Sequence, residues 1–387
     1  MGETVTSNSK RLGTVRSVRW GILGTGAVAE YFAQGLRVVA DTEVLAVASR
    51  TLAGAQSFSQ RLSVPRAYGS YEDLVEDRDV DVVYVATPPH VHRDHCVLCL
   101  EAGKPVLCEK PFTINADEAR EVIALARKKQ LFCMEAMWMR FIPLIQKTQE
   151  IIQAGDIGEV RMFTADFGFL NDFGEGHRFF DPDLGGGALL DLGVYPLSLA
   201  YMLLGEPSNI VSQASLTESG VDEQSTIVLK YSDKCLATIH ATVGCNTPTE
   251  ALIVGTKGQV RIHTPMYRPH RLSVQMFSEA GTASSSEREA ASGLRSGVIS
   301  YAKRSRLLRK LFFAVDGYLA PLRHGYPSTV IPFEGNGYGY EAEEVVRCLK
   351  LGRCESDIMP LDETLRIVEA MDTVRRQWVG RTPSRLV

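Results

Sequence analysis

The chain has 387 residues, of which 45% are hydrophobic and 23% charged, a balance that supports a substantial buried core and argues against a mostly disordered protein. At that length two domains of about 100–200 residues each are expected. A formal net charge of −4 and a pI near 6.1, with no basic cluster interleaved with aromatic residues, give no electrostatic reason to bind nucleic acid.

The polar start MGETVTSNSKRLG has no apolar signal-peptide centre, and no apolar run reaches the roughly 18 residues of a membrane span. A cytoplasmic protein is expected. Met1-Gly2 with Thr6 fits the minimal N-myristoylation pattern, although Glu3 places a charge beside the acceptor. The eight cysteines are scattered along the chain, which reads as reduced thiols rather than a disulfide framework.

After a tail over 1–17, short apolar runs alternate with amphipathic stretches. The runs are VRWGIL from Val18, EVLAVAS from Glu43, VDVVYVAT from Val80 and KPVLC from Lys104, with helical patterns over 27–39, 52–62 and 92–102. Strands alternating with helices predict βαβ units, hence an α/β Rossmann domain with a doubly wound parallel sheet over 18–138. From about Met139 the rhythm changes to strands in series: 160–169, 210–216, 225–231, 236–242, 251–254, 260–263 and 272–277. Phe163, Ala165, Phe167 and Phe169 recur with period two, predicting a mainly antiparallel sheet with one covered side in an α+β domain over 139–387. Helices over 340–351 and 361–377 are expected to close this domain. The segment 282–327 holds eight Lys or Arg against three acidic residues, with Leu307, Leu308, Leu311 and Phe312 at helical spacing. It reads as a basic amphipathic insertion packed on its own domain or on a partner subunit; a substrate lid and a membrane-surface contact are the alternatives.

Directly after the first strand, Gly24-Thr25-Gly26-Ala27-Val28-Ala29 opens the first helix as a GxGxxA pattern. Gly24 would make the tight turn, Gly26 would admit a pyrophosphate, and Ala29 would let helix and strand pack closely. Amides at the helix start, those of Ala27 and Val28, would supply the donors. An NAD site normally carries an acidic residue about 20 residues further on, but here the second strand ends Ala48-Ser49-Arg50-Thr51. Arg50 suits a 2′-phosphate, with a hydroxyl from Ser49 or Thr51. NADP is therefore the expected cofactor and NAD the alternative.

Ligands of open parallel sheets sit beyond the carboxyl ends of the strands, and Lys110 follows the strand expected over Pro105 to Cys108 there, restricted by Pro111 to extended backbone. In GGGALLDLGVYPL, from Gly185, a helix starting near Gly187 would put Asp191 and Tyr195 on one face, with the glycines leaving backbone room for cofactor or sugar. His90, His92, His95, Cys96 and Cys99 lie close in sequence, but ligands spread around one helix cannot converge on an ion, so no metal is expected.

Taken together, GILGTGAVAE, AVASR, CEKP, EAMWMRF and LGGGALLDLGVYP resemble the glucose-fructose oxidoreductase, or Gfo/Idh/MocA, family, and within it the branch of dihydrodiol and D-xylose dehydrogenases. The resemblance runs over about 18–264 and resumes over about 335–377. It implies a large open sheet in the second domain, often used for dimerisation, so that a homodimer or higher homo-oligomer is expected. It implies further that Lys110 lies by nicotinamide and substrate, that Pro111 is cis, and that Asp191 and Tyr195 face the substrate with Trp138 and Arg140. Thr87, Pro88, His92 and Glu109 occupy cofactor-side positions of the family, with Pro89 standing where an asparagine is more usual.

The chemistry expected on this resemblance is oxidation of a cyclic vicinal diol or of the anomeric hydroxyl of an aldopyranose such as D-xylose. Tyr195 would take the hydroxyl proton, its phenolate favoured by the Lys110 ammonium, while hydride passes to the nicotinamide. Asp191 would orient the hydroxyls or Lys110, and Trp138 would offer an apolar face to the ring. The rival readings are a glycoside hydrolase or lyase that oxidises its substrate transiently with a retained nicotinamide, and a non-catalytic cofactor-binding regulator.

Overall fold

β1 (Val18–Leu23) is buried at every position except Arg19, as a strand covered on both faces should be. In the computed structural model, which describes residues 17–170, 177–277 and 328–378, β1 is an inner strand of a six-stranded sheet. With β2 (Thr42–Ala48), β3 (Arg66–Tyr68), β4 (Val82–Val85), β5 (Val106–Glu109) and β6 (Cys133–Ala136) the order is β3-β2-β1-β4-β5-β6. Every neighbouring pair is parallel. The crossovers are helical: α1 (Ala27–Gly35), α2 (Leu52–Leu62), α3 (Tyr71–Glu76), α4 (His92–Glu101) and α5 (Ala116–Lys129). The order reverses between β1 and β4, which opens a crevice beyond their carboxyl ends. Beneath α1, Phe32 stacks on Tyr84 with ring centroids 3.7 Å apart and meets the edge of Trp20 at 5.1 Å.

The second sheet belongs to a separate compact unit. After α6 (Pro143–Gln153) and β7 (Val160–Gly168), a π-helical turn over Leu189–Gly193 runs directly into α7 (Val194–Leu204). There follow β8 (Asn209–Leu216), β9 (Asp222–Ser232), β10 (Cys235–Thr242), β11 (Ala251–Gly255), β12 (Gly258–Ile262), β13 (Arg271–Met276) and β14 (Ser328–Val330). The order is β14-β13-β12-β11-β7-β10-β9-β8, antiparallel throughout except that β10 runs parallel to β7. Along β7 the alternation is physical: Phe163 and Ala165 are buried while Met162 is 41% exposed. α6 and α7 cover the buried face. By composition Pro182–Leu204 could cross a membrane, with a mean hydropathy of 1.5, but 83% of its most apolar window is buried in protein, as in a core helix.

The chain forms two compact units: a first that runs to Thr113, takes in Asp117–Trp138 and regains Glu334–Thr364, and a second that holds the rest. Here the structure departs from a clean division at 138 and 139. α8 (Gly339–Lys350) packs on the first unit, not with the second sheet, and only α9 (Leu361–Arg376) leads back. The cause is a close approach at Gly35, where an added Cβ would lie 2.8 Å from Asn336 Oδ1 and 2.9 Å from Tyr338 Cβ. Asn336 Nδ2 then donates to the Tyr31 carbonyl at 2.7 Å, and Lys350 pairs with Asp41 at 2.8 Å. The basic segment expected over 282–327 and the acceptor Gly2 lie outside the described residues.

Candidate active site

The GxGxxA loop divides its labour between two glycines. Gly24 has φ +107°, and a Cβ there would sit 2.6 Å from the Ala86 carbonyl oxygen, so β1 and β4 can approach only without a side chain. Gly26 is different: it is the extended N-cap residue of α1, no side chain caps the helix, and nothing lies within 4 Å of a would-be Cβ. An open cradle at an uncapped helix start, with the Ala27 and Val28 amides behind it, fits a dinucleotide pyrophosphate. Ala29 is fully buried against the strand.

At the end of β2, Ser49 is half-buried and Arg50 exposed. The Thr51 hydroxyl accepts from the Gly54 amide at 3.2 Å and caps α2. The Arg50 charge acts on Tyr71, whose phenol burial raises. Tyr71 meets the edge of His95 at 4.5 Å, and His95 Nδ1 lies 2.9 Å from Thr87 Oγ1. Arg50, Tyr71, His95 and Thr87 thus form a linked set of side chains, with Pro88 exposed beside it.

His92 lies between two loops of the first unit. It is fully buried, with Nε2 2.7 Å from the Thr87 carbonyl oxygen and Nδ1 2.9 Å from that of Pro111. Burial pulls its pKa down to about 4 against the pull of those two carbonyls. As a neutral ring it carries a single N–H, so it donates to only one of these two carbonyls, from a position between the Thr87–Pro88 loop and the Lys110–Pro111 loop. The bond between Lys110 and Pro111 is cis, and Lys110 is half-buried. Glu109 is buried; one oxygen accepts from the Lys110 amide at 3.0 Å and the other from the Tyr84 hydroxyl. Nearby on α8 lies Glu341, fully buried, whose pKa is raised well above the carboxylate range by burial first and the Glu109 charge second. Trp138 is also buried, stacked on Tyr338 with centroids 4.8 Å apart, and Tyr338 stacks in turn on Tyr31 at 6.4 Å.

In the second unit Tyr195 is 6% exposed and sits among aromatic rings, 5.4 Å from Phe167 and 5.8 Å from Tyr267, which stack on each other at 4.8 Å. Asp191 lies in the π-turn and pairs with Arg178 at 3.3 Å. The helix expected from Gly187 thus begins as a π-turn, and α7 proper starts at Val194. Arg140 is 1% exposed; its Nε donates to Ser198 Oγ at 2.7 Å and its Nη2 to the Ser198 carbonyl at 2.8 Å. That guanidinium is tied to α7 by these two bonds. The glycines also differ from expectation, because the space they leave is filled by this chain itself. A Cβ on Gly186 would lie 2.6–2.8 Å from the carbonyl oxygens of Phe179, Asp181 and Arg178, and one on Gly187 would lie 2.3 Å from Asp222 Oδ1.

Tyr84, Glu341, Tyr338 and Asp222 were missed in the sequence. Tyr338 falls in the recognisable GYGYEAEE stretch, so a signal for it existed. Among the described residues no group of three or more His, Cys, Asp or Glu side chains is arranged to hold a metal ion.

Residues 18–137 match the family model described as "Oxidoreductase family, NAD-binding Rossmann fold", and residues 145–261 match "GFO/IDH/MocA C-terminal domain". The chain belongs to the Gfo/Idh/MocA oxidoreductase family. This Gfo/Idh/MocA member is an NAD(P)-dependent oxidoreductase. It is 34% identical over 365 residues to trans-1,2-dihydrobenzene-1,2-diol dehydrogenase of Xenopus tropicalis, covering 93% of this chain and 98% of that one. It is also 34% identical over 400 residues to D-xylose 1-dehydrogenase (NADP(+)) of Hypocrea jecorina, covering 94% and 93%. Among solved structures, the fold is shared with aldose-aldose oxidoreductase from Caulobacter crescentus, with a TM-score of 0.75, 21% identity and coverage of 94% and 98%. It is shared too with a 3-ketoreductase from Actinomadura kijaniata in complex with NADP and TDP-benzene, with a TM-score of 0.73, 23% identity and the same coverages.

Proposed function

We propose that the chain is an NADP-preferring dehydrogenase that oxidises a ring hydroxyl, either of a cyclic vicinal diol or at the anomeric carbon of an aldopyranose. The observation that carries this reading is its 34% identity, over nearly the whole chain, to proteins named for each of those two activities. NADP+, when bound, accepts the hydride that leaves the substrate carbon.

The residues divide the remaining work. Gly24, Gly26 and the Ala27 and Val28 amides hold the pyrophosphate, and Arg50 with Ser49 selects the 2′-phosphate. Tyr195 takes the hydroxyl proton, the aromatic setting of Phe167 and Tyr267 excluding water from the phenol. Lys110 assists by its charge, and Glu109 fixes the Lys110 backbone. Asp191, neutralised in part by Arg178, orients the substrate hydroxyls. Trp138 acts with Tyr338 as one stacked aromatic surface rather than alone.

The test is initial-rate NADPH formation with purified protein, NADP+ or NAD+, and a panel of pentoses, hexoses and a dihydrodiol. Tyr195→Phe should lower turnover about 10²–10⁴-fold, the range for a lost acid–base group, and leave NADP binding intact. Near-normal turnover would reject its role, and substrate conversion without net NADPH would favour the transient-oxidation chemistry.

We also propose that the protein pairs with a second copy through the open face of the second sheet. Leu236 pairs with Met162, and Val211 with Val228, which puts these side chains on that face. Leu236, Val211 and Met162 are 50%, 52% and 41% exposed. Sedimentation of Leu236→Asp should shift the mass toward monomer, and an unchanged mass would count against that face.

A further inference from the structure

Behind the turn that carries Asp191 lies a cavity of about 370 Å³. It is lined by Gly186 from the glycine loop, by Leu216, Val221 and Asp222, and by Asp372, Arg375, Arg376 and Trp378. The residue joining this cavity to the candidate active site is Asp222, the first residue of β9 and 4% exposed. One carboxylate oxygen fills the place a Gly187 side chain would take, at 2.3 Å from a would-be Cβ, and there φ is +103°. The other accepts from the Leu189 amide at 2.8 Å. Leu189 is the first residue of the π-turn, Asp191 lies within that turn, and Tyr195 follows on the helix that continues it.

We propose that Asp222 is a positioning residue of the active site: its carboxylate tethers the start of the π-turn and so sets the direction of Asp191 and Tyr195. The inference rests on the reading of Asp191 and Tyr195 given above. Three features support it. A helix start favours an anion at its free amides; π-turns are concentrated at functional sites; and the glycine loop is shaped around this carboxylate. The tether is also ionisable near neutrality, because burial pushes the Asp222 carboxyl up to about 7 while Ser225, the Leu189 amide and, less strongly, Arg375 pull it partly back. Among the described lining residues, the charged groups facing it are Asp372, Arg375 and Arg376, all on α9.

A charged acceptor holds an amide more strongly than a neutral one. In the wild type, turnover should therefore rise as pH passes through about 7. Asp222→Asn keeps shape and acceptor but never ionises. Above that pH its kcat should fall about fivefold to tenfold, matching a charge-assisted bond exchanged for a neutral one, while the NADP dissociation constant stays unchanged. Asp222→Ala, lacking the acceptor, should be lower than both at every pH.

Hydrogen exchange of the 187–195 amides supplies a readout independent of activity. Relative to wild type, Asp222→Asn should exchange faster above pH 7 and equally below it. Wild-type exchange and a wild-type pH profile in Asp222→Asn would overturn the proposal. If no diol or sugar is oxidised by the wild type, the reading of the reaction fails, and the exchange measurement still decides whether Asp222 is the tether.

Discussion

Gly24 and Gly26 belong to one motif yet should fail in opposite ways when each is replaced by alanine. At Gly24 the φ of +107° lies in a region side chains rarely adopt, and the new Cβ would meet the Ala86 carbonyl oxygen at 2.6 Å. The conformational strain costs about 1–3 kcal/mol, and displacing backbone that is already packed costs a further ~1–3 kcal/mol. With a sensitivity of about 2–4 °C per kcal/mol for a domain of about 150–250 residues, the melting temperature should drop by roughly 4–24 °C. At Gly26 the φ of −77° suits alanine and the space is open. Reduced freedom of the unfolded chain gains about 0.4–1 kcal/mol, and the poorer N-cap loses a comparable ~0.5–1 kcal/mol, so melting should barely change. The methyl group would instead stand in the pyrophosphate cradle. Loss of one charge-assisted contact, worth about 1.5–3 kcal/mol, should weaken NADPH binding roughly tenfold to ~150-fold. Thermal melting and fluorescence titration of NADPH on both variants decide the matter. A Gly26→Ala protein that binds normally, or one that melts as early as Gly24→Ala, would refute the assignment of separate roles.

Arg50→Asp should raise the KM for NADP at least tenfold, the loss of one charge-assisted contact, with little effect on that for NAD. Equal effects in initial-rate assays would remove Arg50 from the cofactor choice. His92 is held near pKa 4 in the folded state against an ordinary value of 6.5. Its contribution to stability is thus present above pH 6.5 and is lost as pH falls through 4, by about 3 kcal/mol. His92→Phe should flatten that part of a melting-temperature profile while costing about 1–3 kcal/mol at neutral pH for the one carbonyl left unpaired. Tyr338→Ala removes the ring stacked on Trp138 and should raise the KM for a ring substrate about threefold to tenfold, the worth of an aromatic pair. An unchanged KM would show that the stack serves stability alone.

The long elements could be read from the sequence because their periods were unambiguous. Val82–Val85 is a continuous apolar run, Val18–Leu23 is interrupted only by Arg19 among its buried positions, and Leu52–Leu62 has an N-cap threonine whose side chain does accept from Gly54. The short strand at Arg66–Tyr68 and the six-residue helix at Tyr71–Glu76 were not legible, since three to six residues hold too little of either period. The parallel pairing of β7 with β10 was hidden because alternation reports which face is buried, not strand direction. In the site, motif residues marked loops but not the hydrogen-bond partners of each side chain. His92 and Arg140 carry recognisable positions, yet their hydrogen bonds go to Thr87, Pro111 and Ser198. Asp222 lies 33 residues from the amide it accepts, and no local pattern marks such a partner.

The return of α8 to the first unit bears on how the chain is made. Ribosomes deliver the nucleotide-binding sheet first, but the segment from Glu334 that covers α1 emerges only after every strand of the other sheet has appeared. Until then the Gly35 surface and Tyr84, with its neighbouring carboxylate, wait for their cover, and early folding by N-terminal domains must halt short of completion here. A gene cut after residue 138 would therefore yield a sheet without its lid rather than a usable nucleotide-binding fragment, and cofactor affinity should register whether the far end of the message has been translated.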